Sequence, residues 1–193
     1  LPRGAEGCKY LLSVDVEMTP ADGYATSSWE LGHGDMLLRP DLGTLRAVPW
    51  HPATAMVQCD LVWPDGVTPV AQSPRQILRA QVEAAADFGL LALAGTELEF
   101  MVFDDTYETA WDAGYRNLTP SNRYNVDYSI LGTGRLEPLL RDLRNAMYDA
   151  GMVVGSATGE SGRGQYEITF QYADALRTAY QHVVYKTAAK EIA

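Results

Sequence analysis

Two pairs of glutamates are the residues of this sequence whose types and spacing suggest chemistry. Glu97 and Glu99 are two residues apart in Glu97-Leu98-Glu99-Phe100, and side chains at positions i and i+2 of a strand point to the same face. Two like charges side by side repel each other unless a cation lies between them or one carboxylate is protonated. The simpler alternative is a solvated strand face with ordinary surface glutamates.

The second pair flanks a glycine-bracketed turn in the segment Glu160-Ser161-Gly162-Arg163-Gly164-Gln165-Tyr166-Glu167. The strand that follows the turn has Gln165 and Glu167 on one face, and Glu160 can return beside Glu167. The two glycines are not a dinucleotide fingerprint, because no third glycine opens a helix and a strand follows instead. A tight turn is the alternative role for them.

Taken together, four glutamates that arrive in pairs on two strands predict an all-oxygen site for a hard cation, Mg²⁺ or Mn²⁺. The three histidines have no Cys or His partner at metal-ligand spacing. A structural α/β domain with incidental surface glutamates remains an open alternative.

Composition excludes several classes of protein. The 193 residues carry 25 acidic and 15 basic side chains, a net charge of −10, which argues against a nucleic-acid or anionic-membrane surface. No apolar stretch approaches the roughly 18 residues of a membrane span. Cys8 and Cys59 form no disulfide framework, so we expect a reducing, cytoplasmic location. The chain opens without Met and closes inside an amphipathic pattern, so we expect a piece of a longer protein, cut at both ends.

The elements that must position the glutamates follow from periodicity. Alternation predicts a strand over 10–17, and β-like runs over 36–39, 45–48 and 55–63 complete a β-rich unit. Ser73-Pro74-Arg75-Gln76 is a capping-box pattern that opens a helix ending at Gly89. We expect strands over 90–94, 97–103, 152–157 and 165–170, a helix over 137–150 and an amphipathic helix in the last residues. The segment 104–133 has little periodicity and reads as a functional loop.

With these elements in view, the sequence resembles the glutamine synthetase family, in its actinobacterial-type branch, over essentially all 193 residues. Gly95-Thr96-Glu97-Leu98-Glu99-Phe100 resembles the family's E-x-E-F strand, and the segment 160–167 resembles its E-x-x-x-G-Q-x-E element. Residues 34–41 with Val48-Pro49-Trp50 resemble its N-terminal β-grasp segment. The resemblance implies an α+β fold: a β-grasp-like domain over 1–68, then the first, incomplete part of the catalytic α/β domain over 69–193.

The resemblance also implies an activity. In this family ATP phosphorylates the γ-carboxylate of glutamate, and an amine then displaces phosphate to give a γ-glutamyl amide. By motif position Glu99, Glu160 and Glu167 would hold one Mg²⁺ or Mn²⁺, and Glu97 would help hold a second. Tyr172 matches an aromatic residue near the nucleotide. Asp22 corresponds to an aspartate that binds and deprotonates the ammonium. Family members form homo-oligomeric rings, which the resemblance implies here as well.

Two departures from the family pattern leave the amine open. Thr158-Gly159 stands where the family often has two histidines, and the loop after Asp22 is altered, so ammonia and a larger amine both remain candidates. A non-catalytic binding or regulatory protein is the alternative from a different class. Further family residues would lie beyond Ala193, so we expect residues 1–193 alone to be inactive.

Overall fold

The computed structural model describes residues 4–25, 28–30 and 32–193, so Thr26 and Ser27 of the altered loop lie outside the described residues. The chain divides into two compact units. One comprises the described part of Leu1–Arg46 with Ala55–Ala92, and the other comprises Ala47–Thr54 with Leu93–Ala193. The division after residue 92 differs from the expected domain boundary after residue 68, which stays a prediction about domain organisation.

The first unit is built on an antiparallel sheet of three strands in the order β1-β2-β5. These strands are β1 (Ala5–Cys8), β2 (Asp35–Pro40) and β5 (Cys59–Val62). Two short strands, β3 (Arg46–Ala47) and β4 (Ala55–Met56), lie between β2 and β5 in the chain. The strand expected over 55–63 is therefore interrupted. At the break the Gln58 amide donates to Thr44 Oγ1 (2.9 Å), and the Gln58 carbonyl accepts from the Asp41 amide (2.8 Å).

The strand predicted over 10–17 is wrong. Lys9–Leu12 forms a 3-10 helix, and a turn around Asp15 follows. Asp15 Oδ1 accepts from the backbone amides of Glu17 and Thr19, both at 2.9 Å. An aspartate that captures nearby amides offers the backbone an alternative to sheet pairing, and the alternation of side chains does not reveal this competition.

The helix predicted after Ser73 is confirmed as α1 (Pro74–Asp87), and Gly89 follows it with a φ of +73°. The expected capping box is wrong, because the Ser73 side chain makes no capping hydrogen bond. The helix is instead attached to its unit by charge. Arg75 donates to Asp60 Oδ1 (2.8 Å) and to Asp41 Oδ2 (2.5 Å), and Arg79 lies 3.1 Å from Asp60 Oδ1. The side chains of Arg75 and Asp60 are only 10% and 8% exposed.

This buried network predicts a large stability effect. Asp60→Asn removes one of the two carboxylates that compensate the buried Arg75 and the half-buried Arg79 guanidinium groups. Breaking a buried ion pair costs about 3 kcal/mol. We expect urea denaturation to show a free energy of unfolding lowered by that amount. The control is Glu83→Gln on the exposed side of α1, which should leave the midpoint unchanged. An Asp60→Asn midpoint equal to that of the control contradicts the assignment.

The second unit contains an antiparallel sheet in the order β7-β9-β8 and a two-stranded pair of β6 with β10. Its strands are β6 (Leu93–Ala94), β7 (Glu99–Met101), β8 (Val154–Gly159), β9 (Gln165–Phe170) and β10 (Ala173–Asp174). Its helices are α2 (Tyr107–Asp112), α3 (Ile130–Gly134), α4 (Glu137–Asp149) and α5 (Ala175–Ile192). The helices predicted near 137–150 and at the end of the chain are confirmed.

The loop expected over 104–133 is wrong in part, because it contains α2 and α3. Each helix begins at a hydroxyl cap: Thr106 accepts from the Thr109 amide (3.2 Å) and Ser129 from the Gly132 amide (3.0 Å). Helices of six and five residues are too short to show a periodic apolar stripe, so only their caps mark them in the sequence.

The core of the second unit lies on one face of the sheet. Tyr166 and Ile168 of β9 are buried, and the Phe100 and Phe170 rings pack against Tyr185 of α5. The buried positions of α4 include Leu140, Leu143 and Met147. The opposite face of the strands therefore carries the polar side chains. In the part of the chain that the structure describes, no helix is both long and apolar enough to cross a bilayer.

Candidate metal-binding site

Strand pairing brings one glutamate from each sequence motif together. In the antiparallel pair of β7 and β9, Glu99 lies directly opposite Glu167, and Phe100 lies opposite Tyr166. On the other side of β9, Thr158 of β8 is also opposite Glu167. Directly opposed residues point to the same face of a sheet, so Glu99, Glu167 and Thr158 share the polar face. The core face is occupied by Tyr166.

Glu160 is brought back beside β9 by the glycine turn. The Glu160 amide donates to the Gln165 carbonyl (3.0 Å), which closes the hairpin. Gly164 has a φ of +72°, and a Cβ there would lie 2.5 Å from the Val102 carbonyl oxygen. Since only glycine tolerates both conditions, the tight-turn role weighed from the sequence is correct. The Val102 amide donates to the Gly164 carbonyl (2.8 Å) and so ties the turn to the end of β7.

Glu97 lies before β7 rather than within it, so the strand predicted over 97–103 is shorter than expected. The segment that leads to Glu97 is held by α5. Thr178 Oγ1 donates to the Ala94 carbonyl (2.8 Å), and His182 Nδ1 lies 3.2 Å from Thr96 Oγ1. Sequence reasoning found no metal-ligand partner for His182 and did not connect it with this segment. The helical spacing of Thr178 and His182, one turn apart, is the signal that could have paired them with this segment.

The electrostatics of this face centre on Glu167. The pKa of its carboxyl is raised above the ordinary value, first by burial and then by the negative charges of Glu160, Glu97 and Glu99. Its Oε1 atom is buried and has no hydrogen-bond partner among the residues that the structure describes. A carboxylate oxygen that is shielded from water, unpaired and surrounded by like charges is stabilised by a cation or by a proton. The residues present therefore fit a divalent metal ion.

The four glutamate carboxylates are not yet arranged around a common metal position. Among the described residues no group of three or more His, Cys, Asp or Glu side chains is already arranged to hold a metal ion. Two of the four glutamate carboxylates accept hydrogen bonds from neutral side chains. Gln165 Nε2 donates to Glu99 Oε2 (2.5 Å), and Thr158 Oγ1 donates to Glu160 Oε1 (3.2 Å). The assignment of the four glutamates as metal ligands stays a prediction, and sequence reasoning did not single out Gln165 or Thr158 as their partners.

The two remaining predicted site residues lie elsewhere. Tyr172, in the second unit, is exposed, and its Cβ would be 3.9 Å from a Cβ added at Gly95, on the approach to Glu97. Asp22 belongs to the first unit and is also exposed. The nucleotide role of Tyr172 and the catalytic role of Asp22 stay predictions.

Gly159 is the second residue of the Thr158-Gly159 pair, which stands where the family often has two histidines. The space around Gly159 excludes a side chain. A Cβ on Gly159 would lie 2.7 Å from Val126 Cγ2, 2.8 Å from the Val126 carbonyl oxygen and 2.9 Å from Thr133 Oγ1. The Gly159 amide donates to Thr133 Oγ1 at 2.9 Å, which holds this backbone close to Thr133. This backbone therefore has no room for a histidine at position 159.

Comparison with known proteins agrees with the arrangement of the strands. The profile of the glutamine synthetase catalytic domain matches residues 71–193. The chain belongs to the glutamine synthetase family. A crystal structure described as a novel glutamine synthase homolog superposes with a TM-score of 0.77 at 25% identity, covering 100% of this chain and 42% of that one. The mixed helix-and-strand fold is thus that of glutamine synthetase structures.

Two curated members of the family are similar in sequence to this chain. The chain is 61% identical over 193 residues to the gamma-glutamylethanolamide synthetase GlnA4 of Streptomyces coelicolor, and it covers 42% of that protein. It is 35% identical over 190 residues to a glutamate–isopropylamine ligase of a Pseudomonas species, covering 98% of this chain and 41% of that protein. The chain therefore spans about two fifths of the length of these relatives.

The raised pKa of Glu167 predicts how stability depends on pH without metal. The folded state binds the Glu167 proton more tightly than the unfolded state, so stability falls as pH rises from the ordinary glutamate pKa to the raised one. We expect Glu167→Gln to melt at a higher temperature than wild type at pH 7.5 in EDTA, because the substitution removes the repelled charge. The difference should vanish near pH 3.5, where Glu167 is neutral in both states. Glu17→Gln, exposed in the first unit, is the control. A lower melting temperature for Glu167→Gln at pH 7.5 is the contrary result.

Proposed function

We propose that this chain is part of an ATP-dependent ligase that joins an amine to the γ-carboxylate of glutamate through γ-glutamyl phosphate. The observation that carries the proposal is the face that presents Glu99 opposite Glu167, with Glu97 and Glu160 close enough to raise the pKa of Glu167. Membership of the glutamine synthetase family, and relatives named for γ-glutamyl amide synthesis, support the same chemistry. The activity is proposed for a protein of the relatives' full length, and residues 1–193 alone are expected to be inactive.

The glutamates of this face have distinct proposed roles. Glu99, Glu160 and Glu167 would hold one Mg²⁺ or Mn²⁺, and Glu97 would help hold a second together with the ATP phosphates. Bound metal would neutralise the charge of the phosphates and of the acyl phosphate. The protein's own contribution is to keep carboxylates on a sheet whose other face is core, so that their backbone positions do not shift.

The remaining predictions enter as parts of the same proposal. Tyr172 would lie beside the nucleotide, and Asp22 would bind and deprotonate the amine. Residues 1–68 would form the β-grasp-like domain, and the full-length protein would form a homo-oligomeric ring in the cytoplasm.

A larger amine than ammonia is the proposed acceptor. The relatives named above are described by ethanolamide and isopropylamine products or substrates. The altered loop after Asp22 and the Thr158-Gly159 departure support this choice, since Gly159 has no space for the family's histidine.

The test is phosphate release from ATP by a chain of the relatives' full length, with Mg²⁺ or Mn²⁺, glutamate and an amine panel. The panel holds ammonia, ethanolamine, a short monoamine and a polyamine, and residues 1–193 serve as the truncated comparison. We expect release with a larger amine and formation of the γ-glutamyl amide. Release with ammonia alone would identify an ordinary glutamine synthetase. If no amine gives phosphate release while metal still binds, the result would favour a non-catalytic binding or regulatory protein.

Single substitutions in the same assay test the carboxylate face. We expect Glu97→Ala, Glu99→Ala and Glu167→Ala each to lower turnover at least 100-fold, since each removes a charge that the phosphoryl-transfer metals need. The matched control is Glu83→Ala, an exposed glutamate of the first unit, which should retain full activity. Near-wild-type turnover by Glu99→Ala or Glu167→Ala would remove these residues from the site.

A further inference from the structure

Gln165 makes two side-chain hydrogen bonds that fix the orientation of its amide. The Gly162 amide donates to Gln165 Oε1 (2.7 Å), and Gln165 Nε2 donates to Glu99 Oε2 (2.5 Å). A backbone N–H can only donate, and a carboxylate can only accept. The carbonyl end of the Gln165 amide must therefore face the turn, and its NH₂ end must face Glu99.

The turn is built so that the Gln165 amide can approach its backbone. A Cβ on Gly162 would overlap Gln165 Oε1, so the glycine is what allows the amide to approach the backbone. Gln165 is also on the same face of β9 as Glu167, two residues away, and it is half-buried. It is thus a neutral donor that contacts Glu99 on the face of the sheet that also carries Glu167.

The hydrogen bond from Gln165 sets the orientation of the Glu99 side chain. Glu99 is exposed and lies on β7, which pairs with β9 alone in the sheet, and Glu167 directly opposite repels it. A long, exposed side chain beside a like charge would otherwise turn away into solvent. The bond from Gln165 Nε2 holds one oxygen of Glu99 over the sheet and leaves the other oxygen available.

We propose that Gln165 is a positioning residue, oriented by the Gly162 amide, that holds the Glu99 carboxylate beside Glu167 in readiness for a divalent cation. The inference rests on the proposed metal site and adds a residue to it that acts through Glu99 rather than on the metal. Partners of this kind orient metal ligands, and their loss typically weakens metal affinity about 10–100-fold.

The test is Mn²⁺ binding, followed by electron paramagnetic resonance in a chain of the relatives' full length without nucleotide. We expect Gln165→Leu to raise the Kd for Mn²⁺ about 10-fold or more. Gln171→Leu, the same change at an exposed position just after β9, is the matched control and should bind like wild type. Near-ultraviolet circular dichroism confirms that each variant is folded. If Gln165→Leu fails to fold, Gly162→Ala supplies a second route, because its Cβ displaces the Gln165 amide from the turn.

A double-mutant cycle separates positioning from general support of the turn. If Gln165 acts through Glu99, Gln165→Leu should cost no further affinity in a Glu99→Gln background. An equal loss of affinity in both backgrounds, or a wild-type Kd for Gln165→Leu, overturns the proposal. A wild-type protein that binds no Mn²⁺ overturns the metal site itself and this role with it, and the wild-type titration alone reveals that outcome.

Discussion

The direct pairing of Glu99 with Glu167 across two antiparallel strands is the constraint on which the rest of the site depends. Like charges opposite each other destabilise a sheet, yet the register has no freedom to separate them. Tyr166 and Ile168 alternate with Glu167 and are buried in the core, so a slip of one residue would exchange the apolar and acidic faces. The hydrophobic core therefore holds the repelling carboxylates together.

The same face carries neutral hydrogen-bond donors beside its carboxylates. Gln165 and Thr158 each donate to one carboxylate, and burial together with three negative charges raises the pKa of Glu167. These neutral donors reduce the repulsion without adding a positive charge that would compete with a cation. Helix α5 completes the arrangement, because Thr178 and His182 hold the segment before Glu97 while Tyr185 packs beneath the strands.

Long-range polar contacts also decide how residues distant in the chain are grouped. Residues 47–54 belong to the second unit although they lie within the β-rich part of the sequence. Trp50 Nε1 donates to Glu191 Oε2 (2.5 Å), and His51 Nε2 lies 3.2 Å from the same oxygen. The bond from Trp50, with a smaller effect of His51, holds the pKa of Glu191 below its ordinary value. In the first unit, Asp41 and Asp60 attach α1 in a comparable way through Arg75 and Arg79.

Local pattern predicted most of the elements that carry the site, although β7 is shorter than expected. Helical spacing predicted α1 and α4, and period-two alternation predicted β9. The two glutamate motifs predicted a shared metal site, which stays a prediction. Side-chain periodicity does not reveal local hydrogen bonds that compete with a regular element. Asp15 therefore forms a turn where a strand was expected over 10–17. Capping by Thr106 and Ser129 begins two helices in a segment expected to be a loop. Only the tertiary structure decided that Glu99 faces Glu167, that Gln165 directs its NH₂ group to Glu99, and that Gly159 has no space for a side chain. Each of these depends on residues far apart in the chain, whose proximity is set by sheet register and core packing rather than by neighbouring sequence.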